Sequence, residues 1–525
     1  MKCILVRLKD NRSSDVLYFP KVESLAIGYL AGYLRANSFE AAIVDEELSG
    51  SSREQTIRQL RDSDLIGFTA IAKTQIFQVI ETTKELKKSR CNAHISIGGH
   101  YPSFLHKELL SLKNTFDSVV RFEGEETFSE LAEAIEEKKA FSGIKGLAFK
   151  QNGKIIENGL RPLIEDLDSV PFPARDTLPM VLEQGGLPVI SSSRGCYNSC
   201  SYCSISSFYS APGGKQFRTR SAENVLAELS ELKQNFPAMN EIWFVDDNFV
   251  MPGSKGLERT VKLCKGIKNL GLEFQIYLRA NHINKKLLCL LKASGLQNIF
   301  IGAEAANDFT LQALFNKNIS VEQTRKAIKL CNQMKISIDP GFIMFHPWST
   351  MKEIEENIKF LEETKQFTLY GIASFLTPYS FTPIGKKMLS KELAYKKPAV
   401  LPAQKLNDFV PYEIMNEKAE LLLCLTLDAF EEFSRLPKIF SKLKQKIRKL
   451  KSEKNQDAIV LEKKWLFEIK KMNQSGMRFF KELFFFIKAA ELSDNEIKPF
   501  FEKFRARIKA EIEETAKGLE ELVNN

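Results

Sequence analysis

Three cysteines stand within eight residues in the stretch SSRGCYNSCSYCSI: Cys196, Cys200 and Cys203. The other six of the nine, Cys3, Cys91, Cys264, Cys289, Cys331 and Cys424, are scattered, none within sixty residues of the trio. Thiolates crowded in this way hold soft metals. A structural zinc wants a closed shell of four ligands, and the five histidines (His94, His100, His106, His282, His346) are all distant in sequence. In a cubane iron–sulfur cluster three cysteines bind three of the four irons. The remaining iron then has no protein ligand and can chelate a small molecule. The trio reads as the ligand set of such an open cluster, with zinc or unrelated packing as the alternative.

The elements around the trio say how it is held. Residues 1–160 alternate short apolar runs (CILVRL, AAIVDEE, DLIGFTA, HISIGG, SVVRFEGEET) with segments of helical spacing, which predicts a parallel sheet with helices on both faces. Ligands of such Rossmann-like sheets sit beyond the carboxyl ends of the strands, where this chain has Thr69, Gly98-Gly99-His100 and Glu123-Gly124-Glu125-Glu126. Residues 161–187 include LIEDLDSVPFPARDTLP, whose prolines and turn formers read as a linker. From 188 to 388 the alternation resumes as six βα units, too few for a closed eightfold barrel and enough for a partial (β/α)6 one. The cysteine loop follows its first strand, at the end where such barrels do chemistry. Residues 389–525 show long helices and no strand signal.

Composition bounds the rest. A chain of 525 residues with 44% apolar and 27% charged residues suits a globular protein of about three domains. An odd, scattered set of cysteines argues for a reducing compartment. With no signal-peptide pattern at MKCILVRLKD and no apolar run of membrane-spanning length, the expected location is the cytoplasm. The net charge of +9 is uneven: from Lys386 onward 29 Lys and Arg face 22 Asp and Glu, which suits an acidic partner or a membrane surface for the last domain. Nucleic acid is not expected as a partner.

The spacing C-x3-C-x2-C with Tyr202 before the last cysteine resembles the radical S-adenosylmethionine (SAM) enzymes, and the likeness continues through FVDDNF, NIFIGAEAANDFTLQALFNKNISVEQTRKAI, GFIMFHPWSTMKEIEENIKFL and LTPYSFTPI. The resemblance implies a [4Fe-4S] cluster whose open iron binds SAM and cleaves it reductively to a 5′-deoxyadenosyl radical. It implies that Asp246 or Asp247 meets the SAM amino group, that Glu304 lies near its ribose or amine, and that the backbone of Gly341 to Met344 lies near adenine. The plainer reading of Asp246-Asp247-Asn248 is a helix N-cap, and that of Glu304 a buried ion pair. His346 reads as a loop histidine, and Phe345-His346-Pro347-Trp348-Ser349 departs from the family's usual Gly-x-Pro-Gly-Glu.

Placed before such a barrel, with PFPARD between, the first domain resembles the cobalamin-binding domain of the B12-dependent subclass through SIGGHYPSF and VVRFEGEETFSEL. That implies cobalamin contacts from Thr69, Gly98, Gly99, His100, Gly124 and Glu125; the alternative is that these glycines serve only as tight turns. The loop LKDNRSSDVLYFP holds no histidine, so no histidine ligand to cobalt is expected from it. Together the resemblances imply a methyltransferase that uses methylcobalamin on an unactivated carbon, or alternatively a cyclase or rearrangement enzyme, or an iron–sulfur electron-transfer or regulatory protein. The substrate is expected to be a small molecule, lipid or peptide, and the reductant a flavodoxin or ferredoxin. The cluster Phe479, Phe480, Phe484, Phe485, Phe486 reads first as helical core, and otherwise, with the lysine-rich SKLKQKIRKLKSEK, as a lipid-facing surface.

Overall fold

The computed structural model describes the chain except residues 10–19, 72, 90, 391–409, 411, 454, 492 and 525. The histidine-free loop singled out above falls largely on residues 10–19 and so lies mainly outside the described residues.

The first domain is one seven-stranded sheet of β1 (Lys2–Arg7), β2 (Glu40–Asp45), β3 (Leu65–Thr69), β4 (His94–Gly98), β5 (Ser118–Val120), β6 (Leu147–Gln151) and β7 (Lys154–Glu157), in the order β2-β1-β3-β4-β5-β6-β7. The first five strands run parallel. β3 is buried along its whole length, as a central strand covered on both faces must be. The chain leaves β1 for β2 on one side and returns to β3 on the other, which opens a crevice at the carboxyl ends of β1 and β3. β6 and β7 are a correction to the all-parallel expectation: they add an antiparallel hairpin to one edge. Its turn is Asn152-Gly153, both with positive φ, a pairing that two-residue hairpins favour.

The second domain has a parallel sheet of β8 (Val189–Ile190), β11 (Glu241–Phe244), β12 (Glu273–Leu278), β13 (Leu296–Glu304) and β14 (Ser337–Phe342), ordered β14-β13-β12-β11-β8. A two-residue ribbon, β9 (Ser193–Arg194) with β10 (Arg218–Thr219), brackets the cysteine loop. The sixth unit of the expected barrel is reduced. Where YGIASFLTP suggests a strand, Leu369–Ile372 forms one helical turn capped by Thr368, and a single parallel bridge, Phe345 to Phe375, continues the sheet. Ser374 explains the brevity: its carbonyl accepts from both Met344 and Phe345 N–H.

Four long helical stretches follow: Glu417–Glu431, Leu436–Ser452, Asp457–Ala489 and Asp494–Asn524. Tyr412 and Met415 tie the entry to them onto the loops after β14, through Leu376 O and Pro347 O. Phe480 then packs edge-on against Phe345. Phe479, Phe480 and Phe484 are buried with Phe504 in a helical core, Phe486 stacks on Phe500, and Phe485 is half exposed. Among the described residues no helix is long and apolar enough to cross a membrane.

Candidate active site

The cysteine loop starts at Gly195, whose φ of 81° suits only glycine and whose Cβ would fall on the Gln216 carbonyl oxygen. The loop is then tied down from three sides. Ser201 N–H donates to Phe315 O (2.9 Å) and Ser201 O accepts from Ile384 N–H (3.0 Å). The Asn316 amide donates to Ser199 O (2.9 Å). The Tyr197 hydroxyl meets His282 Nε2 (2.8 Å) and the Asn248 amide (3.1 Å). The three thiols are free, and Asn198 Nδ2 lies 3.7 Å from Cys196 Sγ. Burial pushes Cys200 up, against the pull of Lys317 and Arg279. It pushes Cys203 up to about 12, with the backbone N–H groups of Ile205 and Ser206 opposing. Thiolates in such surroundings need a metal to hold them. Among the described residues no three His, Cys, Asp or Glu side chains gather around one point as ligands of a single ion do. A cubane needs no such convergence, because each cysteine takes a different iron.

Glu304 ends β13 with φ 63°, at a register shift against β14. Its Oε1 accepts from Lys317 Nζ at 2.7 Å, both side chains being nearly buried, and Lys317 Nζ also stands 3.4 Å from the Tyr202 hydroxyl. Beneath this pair Gly302 faces Gly341 across β13 and β14. A Cβ on Gly302 would meet Lys317 Nζ at 2.8 Å, and one on Gly341 would meet the Phe300 ring at 2.6 Å. The two glycines therefore leave a floor that any side chain would fill. Tyr202 closes one side, packed edge-on against Phe315, its phenol held far above the usual range by burial and by Glu304. His346 faces elsewhere: it is buried, with Nε2 3.0 Å from Glu353 Oε1, and Trp348 N–H donates to its Nδ1.

The two aspartates part company. Asp246 is buried and accepts from Ser192 N–H (2.9 Å) and the Ser193 hydroxyl, while its Oδ2 has no partner among the described residues. Asp247 is exposed to a cavity of about 340 Å³ between the domains, and the low-dielectric walls around it, with Asp246 beside it, push its carboxyl up. Neither caps the next helix, which starts at Ser254 behind Gly253.

That cavity opens at the crevice of the first sheet. Thr69, Gly98, Gly99, His100 and Gly124 line it from one domain, and Arg194, Phe208 and Tyr209 from the other. Gly99 has φ 114° and its Cβ would strike the Ala70 carbonyl. Ser96 Oγ, also on the wall, is buried without a partner among the described residues, as a site built for a polar ligand would leave it. His100 stacks on Phe208 at 4.2 Å, and burial lowers it to about 4, so it is neutral at ordinary pH. Glu125 lines the cavity as well. Its carboxylate is taken by Arg194 (2.6 Å), while Glu123 binds Arg194 (3.1 Å) and Arg218 (2.9 Å). These acids join the domains.

Sequence reasoning missed Lys317 and Arg279, because a lone lysine or arginine carries no local signal of burial.

A glycine-opened cysteine loop at a partial barrel's mouth, facing the crevice of a doubly wound domain, defines a two-cofactor enzyme. The chain belongs to the radical SAM enzymes that carry a B12-binding domain: the B12 binding domain matches residues 19–132 and the radical SAM superfamily residues 190–361. The fold is that of the cobalamin-dependent SAM radical enzyme OxsB in its structure with aqua-cobalamin and SAM, with a TM-score of 0.73 at 17% identity, covering 100% of this chain and 80% of that one. An uncharacterized methyltransferase of Pyrococcus horikoshii is 29% identical over 401 residues, covering 74% of this chain and 84% of the relative. An anaerobic magnesium-protoporphyrin IX monomethyl ester cyclase of Rubrivivax gelatinosus is 26% identical over 352 residues, covering 63% of this chain and 60% of that enzyme. The cofactors of the chain are accordingly a [4Fe-4S] cluster, SAM and cobalamin.

Proposed function

We propose that this chain is a methyltransferase that acts on an unactivated carbon of a small-molecule, lipid or peptide substrate. When bound, the cluster with SAM supplies a carbon-centred radical by one-electron cleavage, and cobalamin supplies a methyl carrier. Cys196, Cys200 and Cys203 would hold the cluster. Glu304, positioned by Lys317 over the Gly302–Gly341 floor, would receive the polar end of SAM, with Tyr202 at its side. Thr69, Ser96, Gly98, Gly99 and Gly124 would hold cobalamin, with neutral His100 on its wall. The buried Arg194–Glu123–Arg218 set keeps the two domains in register and water out. An external one-electron carrier would supply the electron.

One observation carries this reading: a single cavity is walled by Thr69 and Gly98–Gly99 of the first domain and by Arg194 and Asp247 beside the cysteine loop. Substrate between the two cofactor grounds would meet both. The cyclase relative favours a second reading, radical chemistry without methyl transfer. Anaerobic turnover of the reconstituted enzyme with methyl-labelled SAM separates them. Methyl transfer requires S-adenosylhomocysteine as well as 5′-deoxyadenosine, with the label in a product; 5′-deoxyadenosine alone would refute it.

A further inference from the structure

The helix Asp457–Ala489 changes character along its length. Its second half is core, from Gly476, close against Leu369, to buried Phe480 and Phe484. Its first half carries four large apolar side chains in solvent: Ile459 (57% exposed), Val460 (55%), Leu466 (54%) and Phe467 (64%). The spacing from 459 to 466 and from 460 to 467 is seven residues, two helical turns, so the four share one side of the helix. Lys463, Lys464, Lys470 and Lys471 are exposed on that same side, and among the described residues no ion pair engages them. Trp465 lies toward the interior, under the Lys444 ammonium at 4.9 Å, so the inward side of this turn is already occupied by the protein.

Folding in water selects against four exposed large hydrocarbons on one face, and soluble chains scatter such residues singly. The four lysines select the occupant. An apolar protein groove would leave four ammonium groups to pair or desolvate. A bilayer with anionic headgroups takes both parts at once, hydrocarbon below the phosphate plane and lysine tips at it. We propose that residues 459–471 form an interfacial membrane-binding face that docks this protein on anionic lipid. The helix lies along the surface with Leu466 and Phe467 inserted and the four lysines at the headgroups. The phenylalanine-rich stretch at 479–486, the other reading of the tail, contributes core, with only Phe485 half exposed.

The test uses the full chain and two vesicle compositions, phosphatidylcholine alone and phosphatidylcholine with phosphatidylserine. Wild-type protein should sediment with the anionic vesicles roughly tenfold more than with the neutral ones. Leu466→Glu with Phe467→Glu should lower anionic-vesicle binding by about tenfold or more, as should reversal of the four lysines to glutamate. Leu257→Glu, at an exposed leucine in the barrel domain, should leave binding unchanged. Phe467→Trp supplies a gain of signal: its fluorescence should shift to the blue on adding anionic vesicles. No anionic-vesicle binding by folded wild-type protein, or equal binding by the glutamate variants, overturns the proposal. So does an ultracentrifugation result in which the face instead joins two copies of the chain, with Phe467→Glu yielding monomers and vesicles having no effect.

Discussion

At the scale of single residues, the site works by withholding partners. Asp247 sits in the cavity wall with a like charge beside it, and the nearby Gly195 backbone N–H only partly offsets the upward push on its carboxyl. These surroundings push its carboxyl above the ordinary 3.8 of the unfolded chain. The unfolded chain therefore loses this proton first, and the contribution to stability is largest at low pH and declines as pH rises above that value. In cofactor-free protein, Asp247→Asn should gain on wild type as pH rises from about 5 to 7, by well under about 1 kcal/mol per pH unit because the side chain is exposed to the cavity and its charge is screened there, and match it below about pH 4. Urea melts across that range read the difference directly.

At the scale of elements, one position decides whether the cysteine loop forms. Gly195 joins β9 to the loop at φ 81°, against the Gln216 carbonyl. The left-handed backbone alone costs a non-glycine residue about 1–2 kcal/mol, and the clash adds to it. Gly195→Ala should lower reconstituted iron from about four atoms per chain to below about one, with the first domain still folded by circular dichroism. Elements of this kind were legible where their signal is local. The cysteine spacing, the alternation of apolar runs and helices, and the glycines after β4 all depend on neighbours in sequence. The β6–β7 hairpin was legible too, since Asn152-Gly153 between β-rich runs is a turn signal, and it went unread. The reduced sixth strand was not, because Ser374 takes up the Met344 N–H only once the end of β14 is beside it. Nor was Lys317, whose partner Glu304 is brought near by β13 and the turn after it.

At the scale of the whole molecule, the two domains are joined by buried charge. Glu123 accepts from Arg194 and Arg218, and Glu228 pairs Arg220 with Arg175, which also reaches Glu23 of the first domain. Removing one partner of such a set strands the others in a dry interior. Glu123→Ala should destabilise the protein by about 3–5 kcal/mol. Added salt should change the wild type little, because buried pairs are weakly screened. Thermal melts with and without salt test both statements. Weakened cobalamin retention on desalting should accompany the loss, since Glu123 lines the shared cavity.

Cys196, Cys200 and Cys203 would hold three irons of a cubane and leave the fourth without a protein ligand, free to bind SAM. Mössbauer spectroscopy of the anaerobically reconstituted protein, with and without SAM, tests this most directly. The expected result is a cubane of about four irons per chain, one of which changes its isomer shift when SAM is added. A fully ligated zinc in the loop, or irons that are indifferent to SAM, would contradict it.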